Sequence, residues 1–215
     1  MAERFYKFLR RGRIARFSGL VWPLDEWVKV EAPLVPCVNG IHVCRHADLP
    51  YWLSDELWEV DVEGEQMPGA QKLVVERARL RGRVERWPTP IARAFAADCA
   101  RRVQDLAVRE LERLGRPEAD ELAACRGLPE LKAVAERALR RRRPDRPAVA
   151  VEFLGFAVDA AEYASTRATT AARYVSYVAA HAAEKAAPER RLKPGESRFA
   201  LERDRQAAVL QALGV

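Results

Sequence analysis

Trp87-Pro88-Thr89-Pro90 is where this 215-residue chain changes character. All five tryptophans (Trp22, Trp27, Trp52, Trp58, Trp87) fall at or before it, and alanine dominates after it. Aromatic and β-branched residues fit pleated strands, whereas Ala, Leu, Glu and Arg favour helices. The break therefore predicts an α+β chain: a β-rich domain over 1–88, then an all-helical bundle over 89–215.

Upstream of the break, Lys72 to Trp87 sets Ala78, Leu80, Gly82 and Val84 against Arg77, Arg79, Arg81 and Arg83. Period-two alternation predicts a strand with its apolar set inward and an arginine row outward. Phe5–Leu9, Ile14–Phe17, Trp27–Val30 and Leu57–Val62 are further strand candidates, with a short helix over Asp48 to Ser54. Downstream, Thr89 is an expected N-cap with Pro90 at the first helical position. Ile91, Phe95, Cys99, Val103, Leu106 and Leu114 then hold one helical face as far as Gly115. Further helices are expected over Glu118 to Cys125, Pro129 to Arg142 and Glu196 to Leu213. Pro147 opens an alanine-rich tract to Ala187, which as one helix would run roughly 60 Å. A break is expected within Ser165 to Thr170, where hydroxyls compete for backbone groups.

The chain is 49% hydrophobic, with 13 prolines and 11 glycines, so disordered and collagen-like classes are excluded. It has no apolar run long enough for a membrane span. The charged start, Met1-Ala2-Glu3-Arg4-Phe5-Tyr6-Lys7, is unlike a signal peptide, so a cytoplasmic protein with reduced cysteines is expected. Net charge is +6: 14 basic against 13 acidic residues in 1–88, and 23 against 18 in 89–215. Arg140 to Arg143, Arg146 and the strand row suit phosphate contacts and make nucleic acid a candidate partner. Arginines at a helix C-terminus also favour its dipole, the plainer explanation.

One segment is chemically dense: Cys37-Val38-Asn39-Gly40-Ile41-His42-Val43-Cys44-Arg45-His46. Asn39-Gly40 predicts a two-residue hairpin turn, which would set Cys37 opposite His42 and put Cys44 on the same face. Cys37, His42 and Cys44 are thus candidate metal ligands, with His46 as a fourth. The alternative is that the thiols are core residues, and the apolar neighbours favour it: no bound zinc is expected, with Cys37 and Cys44 unpaired. His42 is the catalytic candidate, as acid, base or hydrogen-bond donor. A cleft built around it would draw on Arg45, Tyr51, Trp58 and Arg79. No cofactor motif is recognisable, and none is expected.

Cys37-Val38-Asn39-Gly40-Ile41-His42-Val43-Cys44, with Lys7-Phe8-Leu9-Arg10, Phe17-Ser18-Gly19, Leu57-Trp58-Glu59-Val60 and Gly64-Glu65, resembles an uncharacterised domain family of actinobacteria and phages marked by C-x-x-G-[Ile/Phe]-H-x-C. That resemblance brings no activity with it. The Gly-x-His strand followed by a short helix and strand is also similar to ADP-ribosyltransferase-like folds, which implies a nucleotide substrate. Ala97-Asp98-Cys99-Ala100-x-Arg102-Val103, His181-Ala182-Ala183-Glu184-Lys185-Ala186 and Glu202-Arg203-x-x-Gln206-x-x-x-Leu210 resemble immunity proteins of bacterial polymorphic toxin systems. This implies a non-enzymatic bundle that binds a toxin or phage-related protein, with Glu202, Arg203 and Gln206 bracing helices. The function expected first is therefore protein binding, with a nucleotide-using enzyme centred on His42 and nucleic-acid binding as alternatives.

Overall fold

The computed structural model describes residues 3–141, 147–187 and 191–215. It divides into two compact units: one runs to Ile91 and includes Ala207–Val215, and the other is Ala92–Gln206.

The first unit is a five-stranded antiparallel sheet of β1 (Phe5–Leu9), β2 (Val28–Lys29), β3 (Ile41–Val43), β4 (Glu56–Gly69) and β5 (Lys72–Arg83). The long β4–β5 hairpin is its spine. Its register shifts at Glu59/Val60 and Glu63/Gln66, and such bulges bend and twist a ribbon. β1 lies along the start of β4, while β2 and β3 lie one after the other along the far side of β5. Tyr6 and Cys44 exchange backbone hydrogen bonds of 2.9 and 2.7 Å, which joins β1 to the end of β3 and curls the sheet round. Leu9, Trp22, Ile41, Val43, Val60, Val75, Ala78 and Leu80 fill the resulting core.

Ala78 and Leu80 face inward as the alternation predicts. Two of the four arginines opposite them are neutralised, and Arg81 and Arg83 are exposed. Arg77 pairs with Glu63 at 3.1 Å and Arg79 with Asp61 at 2.8 Å, and Trp27 lies against both guanidinium groups. Ile14 to Phe17 is not a strand. Ile14 makes only isolated bridges, because Gly12 and Arg13 turn the chain through positive φ and the Glu56 carboxylate accepts both of their N–H groups. The short helix is present as a 3-10 turn, His46–Asp48, running into α1 (Leu49–Trp52).

Asn39-Gly40 does not form the predicted hairpin turn. The chain reverses over Val35 to Asn39, closed by Val35 N–H to Asn39 O at 2.7 Å, with Cys37 at φ +67. The Asn39 amide ties this loop down by donating to the carbonyls of Glu31 and Pro33. Gly40, at φ +146, then passes so close to Val74 that a Cβ there would collide with a valine methyl carbon. Gly40→Ala is expected to destabilise the unit by at least about 1 kcal/mol through overpacking. The check is the urea midpoint of tryptophan fluorescence, and an unchanged midpoint would show that this approach is not tight.

The second unit is helical: α2 (Ala92–Arg113), α3 (Glu118–Ala123), α4 (Leu128–Arg140), α5 (Ala148–Ala164), α6 (Ala168–Lys185) and α7 (Arg198–Ala212), whose last turn groups with the first unit. Thr89 is not an N-cap, because Trp87–Ile91 already forms a π-helical turn ahead of α2. The break between α5 and α6 falls where the hydroxyls are. Ser165 and Thr166 donate to the Glu162 and Tyr163 carbonyls at 2.6 Å and end α5. Leu106, Leu111, Leu122, Leu131, Phe153 and Leu154 form the core, with many alanines between them that let helices approach closely.

A polar layer lies along α7. Glu202, Arg203 and Gln206 are buried and joined to Ser176, Arg102 and Arg205. Arg137 and Arg141 both bond Glu121, and Arg140 bonds Glu136, so this basic cluster is also paired within the described residues. Arg142, Arg143 and Arg146 lie outside them. No helix among the described residues is long and apolar enough to cross a membrane.

Candidate functional site

A cleft of about 430 Å³ opens in the first unit, between β1, β3, the start of β5 and the loop over Ala15 to Trp22. Its aromatic walls are Trp22, Trp52 and Phe17, the last two meeting edge to face at 6.2 Å. Its charged lining is Lys7, Arg16, Lys29 and Lys72, and no aspartate or glutamate among the described residues lines it.

Strand geometry sets Lys7. In Phe5-Tyr6-Lys7-Phe8-Leu9 it shares a strand face with Phe5 and Leu9, both of which pack on the core. Its Nζ donates to the His42 carbonyl at 2.6 Å and lies 4.7 Å from the Trp22 ring centre. Burial holds this ammonium down to about 8, opposed only by the Cys44 sulfur. Cys44 is itself pushed up to about 12 by burial, so its thiol stays protonated and inert. Lys72, the first residue of β5, places its Nζ 3.0 Å from Cys37 Sγ and 5.8 Å from the Trp52 ring centre. Neither Lys7 nor Lys72 is ion-paired with a carboxylate among the described residues.

His42 is set between these two lysines on β3. Its Nε2 accepts the Cys37 backbone N–H at 3.4 Å, which puts the ring proton on Nδ1. Burial, then Lys72, then Lys7, pull the imidazole down to about 4. It is therefore neutral at physiological pH and serves as a hydrogen-bonding group, able to give or take a proton without a standing charge.

The structure brings together only part of what the sequence pointed to. Cys37, His42 and Cys44 all line the cleft, but the two sulfurs do not share a face: Cys37 is exposed in its left-handed turn and Cys44 is buried. Among the described residues no three His, Cys, Asp or Glu side chains are grouped to hold a metal ion. Arg45, Tyr51, Trp58 and Arg79 do not line the cleft. Arg45 is held by Asp48 and the Gly69 carbonyl, Trp58 donates to Glu56, and Arg79 is paired with Asp61.

Lys7, Lys72, Trp22, Trp52 and Phe17 escaped the sequence reading as site residues. The signal that could have found Lys7 is a charge at an inward position of an otherwise apolar strand. For the others, which depend on how loops fold back, no local pattern exists. No protein-family profile, no curated protein and no solved structure matches this chain.

Proposed function

We propose that the first unit is a binding site, and the seat of any chemistry, for a small anionic molecule that carries a planar ring, with mononucleotides as the reference class. The observation that carries this reading is the lining: four cationic side chains, two tryptophans and two phenylalanines around a neutral His42, with no carboxylate among the described residues. Unpaired ammonium groups in a partly desolvated cleft favour a bound anion, and aromatic faces favour a flat body beside it. The volume is in the range of small-ligand pockets.

The test is titration of the protein with AMP, followed by quenching of its tryptophan emission. All tryptophans belong to this unit, and two of them line the cleft. Lys72→Met is expected to weaken binding about 10- to 100-fold, the usual worth of a charge-assisted contact. Added salt is expected to weaken it too. Absence of saturable binding by AMP and by simpler aromatic carboxylates would sink the proposal.

A second reading, protein binding, is supported by apolar side chains that no core requires: Phe17 is 77% and Val38 83% exposed, both at this cleft, and Leu20 is exposed beside them. Joined to an immunity-like bundle, such a surface suits a toxin or phage-related protein. If so, a partner that co-purifies in equal amount is expected to be lost with Phe17→Ser and Val38→Ser together. Retention by that double variant would dispose of this surface as the contact.

A further inference from the structure

We propose that Lys7 is the reactive amine of the cleft, and that its Nζ condenses with the carbonyl carbon of a ring-bearing anionic aldehyde or ketone whose charged group is held by Lys72. The inference rests on the anionic-ligand reading above and adds the reacting group.

Three observations carry it. Lys7 is half-buried on the core-facing side of β1, and its only hydrogen-bond acceptor among the described residues is a backbone carbonyl, that of His42. Trp22 covers it, and among the described residues no carboxylate is there to hold the proton on Nζ. Lys72 stands elsewhere on the same cleft wall, beside Cys37 and Trp52, where it can take the anionic end of a ligand while Lys7 meets the other end. Lysines used for imine chemistry are set up in this way, since a desolvated amine without a counter-ion is a nucleophile near neutral pH. The lowering of Lys7 to about 8 agrees with that arrangement. The groups that line the cleft with it include the protonated Cys44 thiol and neutral His42 from the β3 side and the cations Arg16, Lys29 and Lys72, and none of these is an anion.

The step balances without an oxidant or reductant. The Nζ lone pair adds to the carbonyl carbon, and the carbonyl oxygen takes up a proton to give a carbinolamine. The C–O bond then breaks, and the oxygen leaves as water with the two hydrogens that Nζ carried. The product is the imine.

The experiment uses the full chain with 4-carboxybenzaldehyde and cyanoborohydride, which reduces an imine to a stable amine, and reads each lysine by peptide mass spectrometry. Lys7 is expected to be modified at least about tenfold faster than Lys132 and Lys193, with a rate that rises through about pH 8. Benzaldehyde, which lacks the carboxylate, is expected to lose that preference, and Lys72→Met is expected to slow modification by the carboxylated aldehyde alone. Equal labelling of Lys7 and the surface lysines by a protein that still binds AMP would overturn the inference and leave the binding reading standing. Equal labelling together with no AMP binding would remove both.

Discussion

Glu202→Ala is expected to destabilise the helical unit by about 3 kcal/mol, seen as a lower urea midpoint in far-ultraviolet circular dichroism. Glu202 is 3% exposed and stands where three donors converge. Its Oε2 accepts from Arg102 Nε at 3.1 Å, and its Oε1 accepts from Arg205 Nε at 2.9 Å and Gln206 Nε2 at 3.3 Å. Removing the carboxylate leaves the positive charge of two partly buried guanidinium groups without its buried counter-charge, which is the costly half of a broken ion pair. The loss stops short of the upper range because Arg205 keeps Asp98, through two contacts of 2.9 Å, and because both arginines reach solvent. Glu202→Gln keeps the shape and an acceptor, so its cost is expected to be about half as large. Equal midpoints for wild type and Glu202→Ala would mean that the layer is ornamental to stability.

That layer also shows what the sequence could and could not disclose. Glu202, Arg203 and Gln206 lie close together on one stretch of helix, and a bracing role for them came with the resemblance to immunity proteins. Their partners on other helices, Ser176 and Arg102, lie 27 or more residues away and had no local signature. The same division runs through the first unit. Alternation in Lys72 to Arg83 disclosed the spine strand, its inward Ala78 and Leu80, and the outward arginines, because strand periodicity is local. The carboxylates that neutralise Arg77 and Arg79 were hidden, since they depend on a register displaced by two bulges. At Asn39-Gly40 local turn preference lost to tertiary packing. The glycine is needed for its approach to Val74, the asparagine for its hold on the Glu31 and Pro33 carbonyls, and the turn itself moved back to Cys37. His42 stayed next to Cys37 even so, so the cleft contains the histidine that the hairpin reading had singled out. The cleft could not be seen ahead of the fold, because it is assembled from six separate stretches of chain.

Acid is expected to unfold the first unit through His42. In an unfolded chain this imidazole takes up its proton near 6.5, whereas burial and the neighbouring Lys72 and Lys7 delay it to about 4 in the fold. Between those values the unfolded chain binds more protons, so stability falls as pH drops through that window and is intact above it. Each unit of displacement is worth about 1.4 kcal/mol, and the imidazole's partial access to solvent brings the expected total down to about 2 kcal/mol. Carboxylates elsewhere titrate over part of the same range, so the informative quantity is the difference from a variant. His42→Gln offers an oxygen in place of Nε2 to the Cys37 N–H but binds no proton, and its tryptophan-fluorescence midpoint is expected to move to lower pH. The chain has three histidines, which keeps their ring-proton signals separable by NMR. The His42 signal is expected to titrate well below the usual range in wild type and to rise towards it in Lys72→Met, which removes one of the two facing charges. An imidazole that titrates near 6.5 in the folded protein would show that His42 is not enclosed with the two ammonium groups, and the cleft as described would then fail with it.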